Sequence, residues 1–182
     1  MTGEPGVGKT TALVRTISLI RAHGYSIGGM ISREVRVKGE RIGFELIDLS
    51  SGQKGVLASI KLNMGPKVGK YRVNLTDLAE IGAKSLLNAV DFYDIIVCDE
   101  IGPMELFSPD FRRAAKVVID SDKPVIGIIH KSLNDPLLQE LKSKLSVEII
   151  EVTHENREKL PEILAEKVIS RIKGGYNENE LS

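Results

Sequence analysis

The sequence predicts an α/β protein on a doubly wound, mainly parallel sheet of the phosphate-loop type, with an antiparallel β-hairpin inserted into it. Three observations carry that prediction. Gly3, Glu4, Pro5, Gly6, Val7, Gly8, Lys9 and Thr10 spell the pattern G-x-x-x-x-G-K-[ST] complete. Along the rest of the chain, short apolar runs alternate with segments of helical period. One of those runs, Ile95, Ile96, Val97 and Cys98, delivers two adjacent carboxylates, Asp99 and Glu100, at its exit.

The loop comes first because its chemistry is the most specific. Glycines let backbone N–H groups approach a polyphosphate closely, Lys9 carries a mobile positive charge toward the β/γ-phosphates, and the Thr10 hydroxyl suits Mg²⁺. Thr10, Thr11, Ala12 and Leu13 open a helix whose N-terminal dipole favours the same anion. That helix runs to His23, with Leu13, Ile17 and Ile20 on one face and Gly24 as its stop. Tyr25 to Val35 reads as a strand. Arg41 to Leu49 alternates and Lys54 to Ile60 is a second short β run, with Ser51–Gly52 as the turn between them; this is the expected hairpin. Gly65 to Val73 shows no clear period and reads as a loop. Asn74 caps a helix to about Asn88. The Ile95 run follows, then a helix from Ser108–Pro109, a strand at Val125 to Ile129, a helix from Asp135–Pro136 and a strand at Val147 to Val152. A last helix from Pro161 to Lys173 ends at Gly174–Gly175, leaving 174–182 as a loose tail and 1–173 as one domain.

Bulk numbers narrow the function. The 182 residues suit one α/β domain, and 42% hydrophobic with 27% charged residues is ordinary for a globular chain with no stretch approaching a membrane span. Twenty-five basic and 25 acidic side chains cancel, so net charge favours neither nucleic acid nor an anionic membrane. Aromatic residues are only 4% and Trp is absent, which argues against base-stacking platforms for nucleic acid. A single cysteine, Cys98, excludes an internal disulfide, and with no secretory signal it points to the cytoplasm. Monomer is the expected state.

In the Asp99–Glu100 pair, Asp99 is the expected Mg²⁺ partner and Glu100 the group that orients or deprotonates the attacking water. That division indicates hydrolysis. Asp99, Glu100, Ile101 and Gly102 also fit D-x-x-G, but no [NT]-K-x-D guanine reader follows, which argues against a regulatory GTPase. Two further readings share the loop. A nucleotide or nucleoside kinase would use Gly65 to Arg72 as a lid, and a nucleotide-dependent interaction module would use hydrolysis to reset a surface.

The loop GEPGVGKTT at 3–11, the stretch DEIGPMELFS from Asp99 to Ser108, REVRVKGERIGFELIDL from Arg33 to Leu49, and Thr153 with Asn156 and Arg157 together resemble the THEP1 family of nucleoside-triphosphatases. The resemblance extends to about Ile172. It implies Mg²⁺-dependent hydrolysis of ATP, GTP, CTP and UTP to diphosphate and phosphate, on a RecA-like variant of the phosphate-loop fold, with broad base tolerance.

Around this nucleus stand supporting candidates. Glu105 lies in the family-like run, close in sequence to the carboxylates. His130, after the Val125 strand, is simply an exposed histidine or, if that strand neighbours the Asp99 strand, a γ-phosphate sensor. Asn156 and Arg157 either meet the nucleotide or cap the final helix. Arg33, Arg36, Lys67, Lys70 and Arg72 offer an arginine finger or, more simply, a solvated basic face. Finally, only Met1 and Thr2 precede Gly3, where phosphate-loop proteins have a buried strand of about five residues. The expectation is a natural start upstream of Met1.

Overall fold

The computed structural model describes residues 1–179. Helix α1 (Lys9–Ala22) begins on the loop itself: Ala12 N–H donates to the Gly8 carbonyl at 2.9 Å, and Gly8 at the N-cap has φ +107° and no side chain to cap with. Leu13, Ile17 and Ile20 recur at helical spacing, so all three are buried against the sheet.

Among the described residues the chain then builds seven strands: β1 (Ile27–Val37), β2 (Glu40–Asp48), β3 (Lys54–Ser59), β4 (Lys67–Val68), β5 (Tyr71–Val73), β6 (Ile95–Ile101) and β7 (Val125–Ile129). Their order across the sheet is β4-β5-β3-β2-β1-β6-β7. β1, β6 and β7 run parallel and are buried on both faces, whereas β2 to β5 extend the sheet antiparallel from β1. Because β1 is 11 residues long and only its first five are fully buried, its far half overhangs the parallel core and pairs with β2 alone. The expected inserted hairpin is thus β2–β3 with β1 as its root.

Helices cover both faces. Leu75–Asp77 (α2) passes through a wider π-type turn, Leu78–Ala83, into α3 (Lys84–Phe92), and these pack with α4 (Pro109–Asp120) on one side. On the other lie α1 and α6 (Leu160–Asn179), packed together over Ile95, Val97, Ile126 and Ile128. Caps fall where the polar residues predict: Asn74 accepts from Thr76 and Asp77 N–H, Ser108 from Phe111 N–H, and Asp135 from Leu137 N–H at the start of α5 (Pro136–Ser143).

Three elements depart from the sequence reading. Gly65 to Val73, read as a loop, contains the small β4–β5 hairpin; with strands of two and three residues it has no room for a period, yet Tyr71 and Val73 are buried and β5 pairs with β3. Val147 to Val152, read as a strand, makes one bridge, from Glu151 to Thr2, because the backbone row facing it is only Met1–Thr2. And α6 continues past Gly174–Gly175 to Asn179; residues 180–182 of the expected tail lie outside the described residues.

Met1–Thr2 lies between β7 and the 150–152 segment. Met1 N–H donates to Gly127 O, Ile129 N–H to Met1 O, Thr2 N–H to Ile150 O and Val152 N–H to Thr2 O, at 2.6 to 3.0 Å. This row enters the loop one place in from the flank of the sheet. An apolar cavity of about 90 Å³ is lined by Met1, Val125, Gly127, Val147 and Ile149 among others.

Asp135 does two jobs in this scaffold. Besides capping α5, it accepts from both terminal nitrogens of the Arg112 guanidinium, Nη1 at 3.1 Å and Nη2 at 2.6 Å, and Arg112 holds its carboxyl below the usual range. Asp135→Ala is expected to destabilise the fold by about 1–3 kcal/mol. Urea melts should show a lower midpoint at unchanged slope.

Candidate active site

Gly3 through Gly8 form a loop that is anchored at two points and open between them. At Gly3, φ is +147° and a Cβ would stand 2.7 Å from the Val152 carbonyl oxygen, so only glycine permits this approach. Val7 is buried with Val152, Leu160 and Leu164, while Glu4, Pro5 and Gly6 are exposed. Lys9 folds back into the loop, its Nζ donating to Gly3 O at 2.9 Å and Glu4 O at 3.0 Å. The first-turn N–H groups of α1 have no side-chain cap, and their dipole points at the same concavity.

β6 brings the carboxylates to this loop. Asp99 N- and C-terminal neighbours pair with β7 until the register slips between Asp99 and Ile101, which sets Glu100 as the extra residue. Asp99 is 1% exposed, and Thr10 Oγ1 donates to its Oδ1 at 3.4 Å. Its Oδ2 is buried with no hydrogen-bond partner among the described residues. Burial pushes the Asp99 carboxyl up to about 7 and nearby Glu100 adds to this, against the pull of the Thr10 hydroxyl, the Ser32 N–H and Lys9. A buried carboxylate in that condition lacks a positive charge. The pair of hard oxygens, Thr10 Oγ1 and Asp99 Oδ2, is the donor chemistry of a divalent cation that keeps its other positions for phosphate and water.

Glu100 and Glu105 face each other around Gly102. A Cβ on Gly102 would stand 3.1 Å from Glu100 Oε1 and 3.2 Å from Glu105 Oε2, and Gly102 N–H donates to the latter at 3.1 Å. Glu105 is 5% exposed; burial pushes it up to about 8 and outweighs that hydrogen bond, so at neutral pH it is mostly the neutral acid. His130 follows β7, the strand next to β6, as the sensor condition required. Its backbone N–H donates to Ile101 O at 3.2 Å, and its ring Nδ1 is buried without a hydrogen-bond partner among the described residues.

The remaining candidates separate. Asn156 closes the turn after Val152: its Oδ1 accepts from Thr153 N–H and its Nδ2 donates to Glu151 O, so its side chain is spent on the backbone. Arg157 lies over the loop, with Nη1 donating to Val7 O at 3.3 Å. Arg36 is tied to Glu34 and Gly39, and Arg33 approaches Glu45 at 4.0 Å on the β1 overhang. Lys67, Lys70 and Arg72 belong to the β4–β5 edge, four to five places across the sheet from β6. Sequence reasoning overlooked Lys131, which bridges Glu4 and Glu151 at 2.8 and 2.7 Å, and the spacing role of Gly102. Neither carries a sequence pattern of its own; both acquire their place from the β7 and β6 exits.

A family profile described as NTPase matches residues 1–165. The nucleoside-triphosphatase THEP1 of Thermofilum pendens is 42% identical over 94% of this chain and 95% of its own length. That of Methanosarcina barkeri is 44% identical over 92% and 94%. The chain belongs to the THEP1 family of nucleoside-triphosphatases. Among solved structures, the crystal structure of THEP1 from Aquifex aeolicus superposes with a TM-score of 0.80 at 32% identity, covering 92% of this chain and 96% of that one. The solution structure of a human cancer-related nucleoside triphosphatase gives 0.79 at 34% identity, covering 93% and 95%. THEP1 membership carries the phosphate-loop α/β fold and the enzyme class, a hydrolase acting on nucleoside triphosphates, to this chain. Among the described residues no helix is long and apolar enough to cross a membrane.

The buried acid gives a stability prediction. Glu105 has its folded value near 8 and its ordinary value at 4.5, so between them the folded state holds a proton that the unfolded state releases. Stability therefore falls as pH rises through this window, by at most ~1.4 kcal/mol per pH unit. Glu105→Gln keeps the size without the charge. Its melting temperature should gain on the unaltered protein from pH 5 to 8; parallel curves would refute the assignment.

Proposed function

We propose that the chain hydrolyses ATP, GTP, CTP and UTP to the diphosphate and phosphate with little regard for the base, in a Mg²⁺-dependent reaction, as a cytoplasmic monomer with no nucleic-acid partner. The observation that carries the reading is the junction of Thr10 Oγ1 with buried Asp99, whose second oxygen has no hydrogen-bond partner among the described residues. The fit supports Mg²⁺ held between those two side chains. When bound, the ion neutralises charge on the β- and γ-phosphate oxygens.

The loop N–H groups cradle the β-phosphate, and Lys9 leaves the Gly3 and Glu4 carbonyls to meet the β- and γ-oxygens. Glu100 orients a water in line with the γ-phosphorus and takes its proton. The new P–O bond forms as the β–γ bridge breaks, leaving diphosphate and inorganic phosphate. Glu105, neutral across Gly102, keeps a second negative charge away from Glu100. Buried Cys98, behind Asp99 in β6, fits a reducing compartment.

Phosphate release measured on four nucleotides without any acceptor tests this. Glu100→Gln should lower kcat by about 10²–10⁴-fold with nucleotide affinity nearly unchanged. Lys9→Ala should abolish turnover and weaken triphosphate binding. Chelation of divalent ions should stop the unaltered enzyme and Mg²⁺ should restore it. Equal loss of binding in both variants, or release that survives chelation, would overturn the assigned roles.

A further inference from the structure

The phosphate loop has two flanks, and only one is occupied by the chemistry above. Across the sheet, β6 lies beyond β7 on one side of Met1–Thr2, and Glu151–Val152 lies on the other. Thr10 meets Asp99 from the first flank, while Val7 and Gly8 meet Arg157 from the second. A triphosphate whose γ-end faces Asp99 and Glu100 therefore carries its nucleoside toward the turn at 153–157.

Within that turn the side chains of Thr153, Glu155 and Asn156 have little left with which to read a base edge, whereas the His154 ring is exposed. Thr153 N–H donates to Asn156 Oδ1 at 2.9 Å and Asn156 N–H to Thr153 Oγ1 at 3.3 Å. Arg157 N–H donates to Thr153 O, Asn156 Nδ2 reaches Glu151 O, and the Glu155 carboxyl is held down by the Thr153 hydroxyl. These bonds make the turn a rigid mount for one planar group. The Arg157 side chain is 39% exposed; its stem lies against Gly8, with Cδ 3.6 Å from where a Cβ there would be. Its guanidinium has one long bond to Val7 O and a 3.6 Å approach to exposed Glu158.

We infer that the Arg157 guanidinium is the platform on which the nucleobase stacks, so that every base is held by its face and none by its edge. Stacking accepts any base because all four have a π-face, and a guanidinium adds cation–π attraction. Gly8 has no side chain to come between the two planes. The inference rests on the broad-tolerance reading and gives it a physical cause.

Binding to the full chain, measured by calorimetry with Glu100→Gln as background to prevent turnover, tests it with five ligands: ATP, GTP, CTP, UTP and inorganic tripolyphosphate. Arg157→Ala should weaken all four nucleotides by about 10- to 100-fold, to a similar extent, and leave tripolyphosphate unchanged. Arg157→Lys, with the charge and the stem but no planar face, should fail in the same way. Nucleotide binding by Arg157→Lys at the level of the parent overturns the proposal. So does a parallel loss of tripolyphosphate binding in a variant of unchanged melting temperature, which would make Arg157 a phosphate ligand. Strongly unequal affinities of the parent for the four nucleotides would instead defeat the broad-tolerance reading, whatever Arg157 does.

Discussion

The site depends on one electrostatic constraint: Asp99 is a carboxyl group buried at the core end of β6, with Thr10 and the Ser32 N–H as polar neighbours and one oxygen left without a hydrogen-bond partner among the described residues. Such a group is costly to bury as an anion, and it is stable there only as a neutral acid or beside a cation. Everything near it is arranged on that account. The register slip after Asp99 turns Glu100 out of the strand pairing, Glu105 is buried as the neutral acid, and the nearest mobile positive charge, Lys9, belongs to the loop. Burial raises both Asp99 and Glu105, which lightens the negative charge that three carboxyl groups within the seven residues 99–105 would otherwise carry.

The sheet makes that constraint possible. A parallel core three strands wide, apolar on both faces, fixes β6 and β7 side by side and places both exits at the end where the loop turns into α1. The antiparallel extension β2–β5 does not touch this arrangement directly. It widens the sheet behind β1 and gives Met30, Leu46, Leu57 and Leu78 a common core, which steadies the strand against which β6 is laid.

Much of this could be read in the residues because the informative signals are local. A phosphate loop is defined by covalent spacing, so Gly3 to Thr10 declare it without help from the fold, and Ile95–Cys98 declares a buried strand by its unbroken apolar run. The nearness of Thr10 and Asp99 followed from the loop type. What stayed hidden depends on partners distant in sequence: β4–β5 is too short to show a period, Val147 to Val152 has apolar residues but a two-residue partner, and Lys131 finds Glu4 only because β7 ends beside the loop. Asn156 and Arg157, adjacent and equally polar, could not be told apart until the turn showed one facing its own backbone and the other facing the loop.

Lys9 already rests on two carbonyl oxygens of the loop it serves. Capturing an anion is consequently an exchange, in which an internal contact is surrendered for an external one. A lone phosphate offers little more than the carbonyls it displaces, whereas a chain of phosphates spans the lysine, the helix end and the carboxylate flank together. Discrimination between long and short anions thus begins in the resting posture of a single side chain, ahead of any contact with sugar or base.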